Sequence, residues 1–214
     1  MKIKVIGAGP AGLTFAISMK LRDPSHDILI VERNAEGVTF GWGVVFSDQT
    51  VDNLVRNDPL SGAIIARECA HWDDIDIRVH GESVVSSGHG FIGIGRKRLL
   101  EILTERARDL GVEMRFDSED DASDAADWGL IIAADGANSR LRDGRAAAFG
   151  VDIDERVNRF IWLGTAKLFE AFTFAFEQTE AGWIWAHAYR FADDCSTFIV
   201  ECAPAPGPRS ALRR

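Results

Sequence analysis

The chain has 214 residues, of which 46% are hydrophobic, and a formal net charge of −9. This composition fits one folded unit or two small ones, and the absence of a basic stripe argues against a nucleic-acid-binding protein. No apolar run approaches the roughly 20 residues of a membrane-spanning helix, and the N-terminus lacks a signal-peptide pattern. Cys69, Cys195 and Cys202 are too few and too irregularly spaced for a disulfide framework or a zinc site. We therefore expect a soluble, cytoplasmic protein without a metal.

The N-terminal segment has the pattern of a β-α-β unit. The apolar run from Ile3 to Ile6 predicts a buried parallel strand, and Pro10 marks the start of a helix. A second buried strand is predicted over Ile28–Val31 and ends at Glu32.

The turn between the first strand and the helix reads GAGPAG, the glycine pattern of a dinucleotide-binding fingerprint. Gly7 permits the tight turn, Gly9 lets the backbone approach a pyrophosphate, and Gly12 lets the helix pack on the strand. Glu32 stands where an acid binds ribose hydroxyls and repels the 2′-phosphate of NADP, while FAD and NAD fit equally well. A turn that serves only close packing is the alternative, and it leaves Glu32 unexplained. The candidate cofactor-binding residues here are Gly7, Gly9, Pro10, Ala11, Gly12, Glu32 and Arg33.

The central part of the chain is less regular. SDQTVDNLVRNDP predicts a short helix that ends at Asp58-Pro59, and IDIRVHGESVVSSGHGFIGI predicts an antiparallel hairpin that turns near His80-Gly81. A helix is predicted over Arg96–Leu110, followed by the strand VEMRF. The acidic stretch Asp117–Asp127 is interpreted as a solvated loop or short helix without a function.

The next buried strand, WGLIIAAD, ends in a second acid-glycine turn, Asp135-Gly136, which Ser139 and Arg140 follow. A second turn of this kind suggests that one crevice binds a single long ligand or two ligands in sequence. Arg96 opens its helix after FIGIG, where the guanidinium and the helix N-terminus would both face a diphosphate; a solvated arginine is the alternative. The candidate cofactor-binding residues in this part are Arg96, Asp135, Gly136 and Arg142.

After Gly150 the sequence becomes rich in aromatic and β-branched residues. RFIWLGTAKLF, FTFAFEQ, GWIWAHAYRF and CSTFIVEC predict an antiparallel meander that forms a separate layer. We expect a nucleotide-binding domain over residues 1–150, with a β-hairpin insertion near 72–92. A partial antiparallel domain over 151–202 and an irregular, proline-containing tail over 203–214 would follow.

These motifs together resemble the flavin-dependent aromatic hydroxylases, the class typified by para-hydroxybenzoate hydroxylase. The family carries GxGxxG, an arginine that opens a later helix, and DGxxSxxR, which appear here as GAGPAG, GRKRLL and DGANSRLR. FGWGVVFSD, GIGRKRLLEIL and AHAYRFADDCSTFIVEC resemble the branch of salicylyl-CoA 5-hydroxylase, 2-aminobenzoyl-CoA monooxygenase and the violacein-pathway tryptophan hydroxylase. FGWGVVFSD is most similar to the CoA-thioester enzymes. The resemblance runs from Met1 to about Cys202.

The resemblance implies an α/β fold with a Rossmann-like FAD-binding domain of the glutathione-reductase type and an antiparallel β-sheet substrate domain. It also implies FAD as cofactor, NAD(P)H as electron donor, O₂, and an aromatic substrate expected to be a CoA thioester; it admits a homo-oligomer. The second turn would then serve both nucleotides in one crevice. Gly43, in the GWG loop, is a candidate for backbone close to the flavin, with a turn of unusual dihedrals as the alternative.

Two residues on the strand WAHAYRF are candidates for catalysis. His187 and Tyr189 alternate with alanines and therefore share one face, where they would bind or deprotonate the ring substituent of the substrate. Trp183 and Trp185 share that face and would line an aromatic pocket. Packing is the alternative for all four side chains.

The sequence departs from the family in its last part. The family's third flavin motif, a Gly-Asp pair, has no counterpart here, so we expect a truncated, split or frame-shifted product whose fold is incomplete at the C-terminus. Its meander would then expose an unpaired edge and apolar surface. The leading hypothesis is an FAD monooxygenase, or its N-terminal part, acting on an aromatic acyl-CoA. A flavoprotein reductase or halogenase on the same scaffold and a non-catalytic FAD-binding fragment are the alternatives.

Overall fold

The computed structural model describes residues 1–180 and 182–204 and shows two compact units. The first unit comprises Met1–Phe40, Thr50–Glu68 and Arg96–Ile153, and the second comprises Gly41–Gln49, Cys69–Gly95 and the described residues from Asp154 onward. Most of the tail predicted over 203–214 lies outside the described residues.

Strands and helices alternate through the first unit and then give way to strands. In chain order the strands are β1 (Lys2–Ile6), β2 (Asp27–Val31), β3 (Gly43–Ser47), β4 (Ala70–Trp72), β5 (Ile75–Val79), β6 (Glu82–Ser86), β7 (Phe91–Gly95), β8 (Glu113–Arg115), β9 (Leu130–Ala133), β10 (Arg159–Thr165), β11 (Phe172–Thr179), β12 (Gly182–Arg190) and β13 (Ser196–Cys202). The helices are α1 (Pro10–Arg22), α2 (Asp48–Asn57), α3 (Pro59–Glu68), α4 (Arg96–Asp109), α5 (Arg140–Asp143) and α6 (Ala146–Phe149), and a 3₁₀ turn spans Ala125–Asp127.

The core of the first unit is a parallel four-stranded sheet in the order β8-β2-β1-β9. Its two central strands carry fully buried side chains, Ile3 and Val5 on β1 and Ile28 and Ile30 on β2. Runs that are apolar on both faces are typical of parallel strands covered on both sides. The predicted β-α-β unit is therefore confirmed, and β9 is the parallel neighbour of β1 on the side opposite β2.

A buried carboxylate ties three helices of this unit together. Asp58, which is 2% exposed, follows α2 and accepts hydrogen bonds from the backbone N–H and the hydroxyl of Ser61 at the start of α3. Arg106 on α4 donates to both carboxylate oxygens, at 2.9 and 3.1 Å. Burial alone would raise the pKa of Asp58, but the hydrogen bonds from Arg106 and Ser61 hold that pKa below its ordinary value. The sequence predicted the end of α2 here; α3 was missed, because Pro59 also suits the first position of a helix.

The second unit contains a six-stranded sheet in the order β10-β13-β12-β11-β5-β6 and a three-stranded sheet in the order β3-β7-β4. The hairpin of β5 and β6 turns at His80-Gly81, as predicted. The segment Phe91–Gly95, which was predicted within the same hairpin, is instead the central strand of the smaller sheet. The difference arises from long-range pairing, because β7 pairs antiparallel with β3 on one side and with β4 on the other, while β6 pairs with β5.

The predicted meander is confirmed for β11, β12 and β13, which pair antiparallel in chain order. β10 pairs with β13, so it lies at one edge of the sheet, while β6 lies at the other. Phe160 on β10 and Val84 on β6 are both exposed. Among the described residues, β10 and β6 are therefore the two edge strands of this sheet, and both carry exposed apolar side chains.

Two further properties concern the described ranges only. No helix in them is long and apolar enough to cross a membrane, and no group of three or more His, Cys, Asp or Glu side chains is arranged to hold a metal ion. Cys69 is buried, Cys195 and Cys202 are partly buried, and none of the three forms a disulfide bond within the described ranges.

Replacing Arg106 by Gln should lower the free energy of unfolding by about 3 kcal/mol, because it leaves a buried carboxylate without its cation. The change should also raise the pKa of Asp58 in the folded state. In the unaltered protein that pKa is lowered, so the stabilising contribution is present above the unfolded pKa and is lost as pH falls through the folded pKa. Urea unfolding between pH 3 and pH 7 measures both effects.

The matched control is Arg115→Gln, because Arg115 pairs with Glu113 on the surface, where both side chains are mostly exposed. This control should lower the free energy of unfolding by less than about 1 kcal/mol. Equal losses for the two variants would show that the Asp58–Arg106 pair contributes no more than a surface pair.

Candidate functional site

The first glycine turn is shaped by the backbone that surrounds it. Gly7 has φ +109°, and its N–H donates to Val31 O on β2 at 2.8 Å. A Cβ atom at position 7 would overlap the carbonyl of Ala134, and one at Gly12 would overlap Gly7 O and press on Val5. Both positions therefore require glycine, the first for the turn and the second for the approach of α1 to β1.

Gly9 differs from these two glycines, because its Cβ would meet no described atom within 4 Å other than those of its own stretch of chain. It is the N-cap of α1, with φ −73° and ψ 175°, and no side chain caps the helix. The first N–H groups of a helix need acceptors and carry a partial positive charge. The space beside Gly9 is therefore a cradle suited to an anionic group such as a pyrophosphate.

Glu32 lies directly beside this turn. Its Oε2 accepts a hydrogen bond from the N–H of Ala8 at 2.9 Å, and its Oε1 accepts two from Asn34, at 2.9 and 2.7 Å. A carboxylate oxygen has two lone pairs, so Oε2, which accepts one hydrogen bond here, keeps acceptor capacity for a hydroxyl group. The sequence-based placement of Glu32 next to GAGPAG is thus confirmed, while its contact with a ribose stays a prediction.

The second turn lies next to the first because β9 is the parallel neighbour of β1. The N–H of Ala134 donates to Ile6 O at 2.8 Å, which places Asp135 and Gly136 beside Gly7. Ser139 stabilises this second turn, since its hydroxyl donates to Asp135 Oδ1 at 2.6 Å and accepts from the N–H of Arg142 at 3.0 Å.

A cavity of about 380 Å³ opens at these two turns, entirely within the first unit. The predicted cofactor-binding residues that line it are Gly7, Gly9, Glu32, Arg33, Arg96, Asp135 and Gly136. Arg96 opens α4, and its Nε donates to Thr39 Oγ1 at 3.0 Å, which leaves the rest of the guanidinium available at the cavity. The cavity thus combines a helix N-terminus, an acid and an arginine.

Some predicted residues do not line this cavity in the described structure. Pro10 and Ala11 form the first turn of α1, and Gly12 is buried against Gly7. Arg142 donates from its guanidinium to Ala137 O at 2.7 Å and pairs with Asp143, so it supports the second turn.

The sequence reasoning missed one wall of the cavity, the segment from Phe116 to Asp120, together with Arg108 and Arg140. The predicted strand VEMRF was the signal that could have identified this wall. It corresponds to β8, which is parallel to β2, so its carboxyl end lies at the same edge of the sheet as the glycine turn. The acidic composition of the stretch concealed it.

The GWG loop belongs to the second unit, where local packing accounts for its glycines. A Cβ at Gly41, which has φ +90°, would press on Trp162, and one at Gly43 would press on Phe191. The N–H of Gly43 donates to Thr197 Oγ1 at 2.9 Å, and its carbonyl accepts from the hydroxyl of Tyr189 at 2.8 Å. The approach of Gly43 to a flavin remains a prediction, and these contacts favour the alternative of a constrained turn.

The two candidate catalytic residues differ in their surroundings. Tyr189 is buried, its hydroxyl is used by Gly43, its ring stacks on Trp72, and burial raises its pKa. His187 is only partly buried, between Phe172 and Phe174, with its Nδ1 3.7 Å from Glu201 Oε1. Burial lowers the pKa of His187 below its ordinary value, and the charge of Glu201 opposes that effect, so the net shift favours the neutral imidazole.

Comparisons with known proteins agree with this geometry. The chain is 44% identical over 213 residues to salicyloyl-CoA 5-hydroxylase of a Streptomyces species, covering 99% of this chain and 41% of that protein. It is 35% identical over 216 residues to protodeoxyviolaceinate monooxygenase of Chromobacterium violaceum, covering 99% of this chain and 58% of that protein. The chain therefore spans about half the length of these relatives. A scan against models of protein families finds no match.

Solved structures share the fold. The chain superimposes on a tetrameric 2-methyl-3-hydroxypyridine-5-carboxylic acid oxygenase with a TM-score of 0.80 at 22% identity, covering 99% of this chain and 61% of that one. It superimposes on PqsL of Pseudomonas aeruginosa, a probable FAD-dependent monooxygenase, with a TM-score of 0.71 at 15% identity, covering 95% of this chain and 60% of that one. The chain is similar in sequence to a hydroxylase and a monooxygenase, and similar in fold to an oxygenase and a probable FAD-dependent monooxygenase.

Gly12→Ala and Gly9→Ala should separate the two uses of glycine in the first turn. The methyl group at position 12 would meet Gly7 O, so this variant should lose about 3 kcal/mol or more of unfolding free energy. At Gly9 the methyl group meets open space and the dihedrals suit alanine, so the free energy should change by less than about 1 kcal/mol. Thermal and urea unfolding measure both, and similar losses would contradict the geometry.

Glu201→Gln should move the titration of His187 to lower pH, because it removes the negative charge that favours the protonated imidazole. The measurement is NMR of the His187 ring protons from pH 4 to pH 8. Glu177→Gln is the control, since Glu177 lies on the other face of the sheet on β11. A His187 titration that shifts equally in both variants would refute the coupling to Glu201.

Proposed function

We propose that the chain is the FAD-binding part of an NAD(P)H-using monooxygenase that hydroxylates an aromatic acyl-CoA, such as salicylyl-CoA or 2-aminobenzoyl-CoA. The observation that carries the proposal is the meeting of the two turns at one cavity, with Glu32 and Arg96 on its walls. The relatives' names support the reaction class, and the 44% identity to a salicyloyl-CoA hydroxylase supports the thioester substrate.

The residues present fit FAD. The open cradle at Gly9 and the N-terminus of α1 would hold the pyrophosphate, and Arg96 at the start of α4 would add a charge-assisted hydrogen bond. The carboxylate of Glu32 would accept hydrogen bonds from ribose hydroxyls. When bound, FAD supplies the oxygen-transfer chemistry, and the protein supplies orientation and exclusion of water.

In the second unit we assign the proton chemistry to His187. In its neutral form the imidazole would accept a proton from a ring hydroxyl, which makes the ring more electron-rich, or a hydrogen bond from a ring amino group. Phe172 and Phe174 beside it offer aromatic faces for a ring substrate. The buried hydroxyl of Tyr189 donates a hydrogen bond to the carbonyl of Gly43, so we assign Tyr189 the role of holding the GWG loop.

A non-catalytic FAD-binding protein is the second candidate. The observation that favours it is that the described cavity is lined by residues of the first unit alone, so nucleotide binding there does not depend on the antiparallel sheet. Incubating the FAD-loaded chain with NADH or NADPH, salicylyl-CoA and ¹⁸O₂ separates the candidates by mass spectrometry. Incorporation of one ¹⁸O atom into the product supports the monooxygenase. NAD(P)H oxidation without incorporation indicates a reductase, and neither change indicates a binding protein.

Binding of FAD is tested by titrating the purified chain and following flavin fluorescence. We expect saturable binding, and about tenfold weaker binding for Gly9→Ala, because its methyl group fills the cradle that would face the pyrophosphate. The unfolding free energy of the variant, measured in parallel, shows that the fold is kept. Absence of FAD binding by the unaltered chain would overturn the proposed function.

A further inference from the structure

A lysine is buried in the middle of β1. Lys4 is 3% exposed, and its Nζ lies 2.7 Å from Asp120 Oδ2 and 2.5 Å from Asp124 Oδ1. The same ammonium group lies 4.9 Å from the centre of the Trp128 ring, a cation–π distance. Burial alone would lower the pKa of Lys4, but the hydrogen bonds and charges of both aspartates raise it, so the group is charged. Burying a charged ammonium group costs desolvation free energy, and pairing with two carboxylates offsets that cost.

The partners of Lys4 belong to the acidic segment that the sequence left without a role. The segment is attached to the strand end that carries Glu32, because the N–H of Ser118 donates to Glu32 O at 3.0 Å and that of Asp117 donates to Asn34 O at 3.1 Å. Asp120 also accepts from the N–H of Ala122 at 2.7 Å. Apart from the 3₁₀ turn, residues 117–127 contain no helix or strand, so their shape depends on such contacts.

This segment is also a wall of the cavity. Phe116, Ser118 and Asp120 line it, next to Glu32, whose carbonyl accepts from the N–H of Ser118. If the pyrophosphate occupies the α1 cradle and the ribose faces Glu32, the base lies next along the cavity, against residues 116–120. Without Lys4, the carboxylates of Asp120 and Asp124 would repel each other, and Asp120 would present an unbalanced charge to an anionic ligand.

We propose that Lys4 is a positioning residue for the nucleotide, which neutralises Asp120 and Asp124 and thereby fixes the cavity wall that receives the adenine. The inference rests on the proposed function, since it assumes that the cavity binds an adenine dinucleotide. Lys4 acts through the two aspartates and is separated from the cavity by the segment they hold.

The test is the affinity of the full chain for ADP, measured by isothermal titration calorimetry well below the unfolding temperature. Lys4→Met should bind ADP about tenfold more weakly than the unaltered chain. The matched control is Lys20→Met, which removes another buried lysine of the same unit, one that donates to Pro24 O and His26 O and does not line the cavity. Both variants should lose stability, but Lys20→Met should keep its ADP affinity within about twofold.

Asp124→Asn provides a milder second variant, for use if Lys4→Met does not fold. Asp124 does not line the described cavity, so the substitution acts through its partners Lys4 and Trp128 and not through a contact at the cavity, and ADP affinity should fall about threefold. Amide hydrogen exchange over residues 116–124 should be faster in Lys4→Met and in Asp124→Asn than in the unaltered chain. Unchanged ADP affinity in the folded variants would overturn this inference alone, whereas an unaltered chain that binds neither ADP nor FAD overturns the proposed function as well.

Discussion

The position of β1 between two parallel neighbours is the constraint on which the candidate site depends. Gly7 donates across to Val31 on one side, and Ile6 accepts from Ala134 on the other. Parallel strands bring their carboxyl ends to the same edge of a sheet, so the loops after β1, β2, β8 and β9 all open at one place. Because Gly7 is packed against the backbone of Ala134, the two turns cannot separate without disturbing the sheet itself.

Charge in the first unit is arranged around that edge in matched pairs. Glu32 is held by backbone and amide N–H groups and keeps free acceptor capacity, which suits neutral hydroxyls. Lys4 neutralises the carboxylates of Asp120 and Asp124, next to the cavity wall. Arg96 lies at the cavity, and Thr39 is its only described hydrogen-bond partner. A chain with a net charge of −9 can in this way present a locally favourable site to a phosphate.

Local patterns were sufficient to predict the parts of the fold that are set by neighbours in sequence. The glycine turn, the acid at the end of β2, the long helix α4 and the His80-Gly81 hairpin all depend on turn chemistry and hydrophobic period. The short strands β3 and β4 were missed, since they are stabilised by pairing with β7 rather than by their own residues.

The candidate site was predictable to a similar degree. Gly7, Gly9 and Glu32 carry a spacing signal, whereas the partnership of Lys4 with Asp120 and Asp124 links distant residues and leaves no pattern in the sequence. The same holds for Tyr189, whose alternation with His187 suggested a shared role. The structure separates them, because the phenol is buried against Gly43 while the imidazole remains partly exposed.

The pairing of strands that are far apart in the chain has a consequence for how the protein is made. β1 must wait for β9, and β5 must wait for β11, before either sheet is complete. Contacts of such long range slow folding, because closing a large loop costs entropy before any pairing repays it. During translation the β5–β6 hairpin leaves the ribosome well before β11, so the edge of β5 that pairs with β11 has no partner strand until then. An unpaired strand edge is a template for pairing with another chain, which makes β5 a point of aggregation during synthesis.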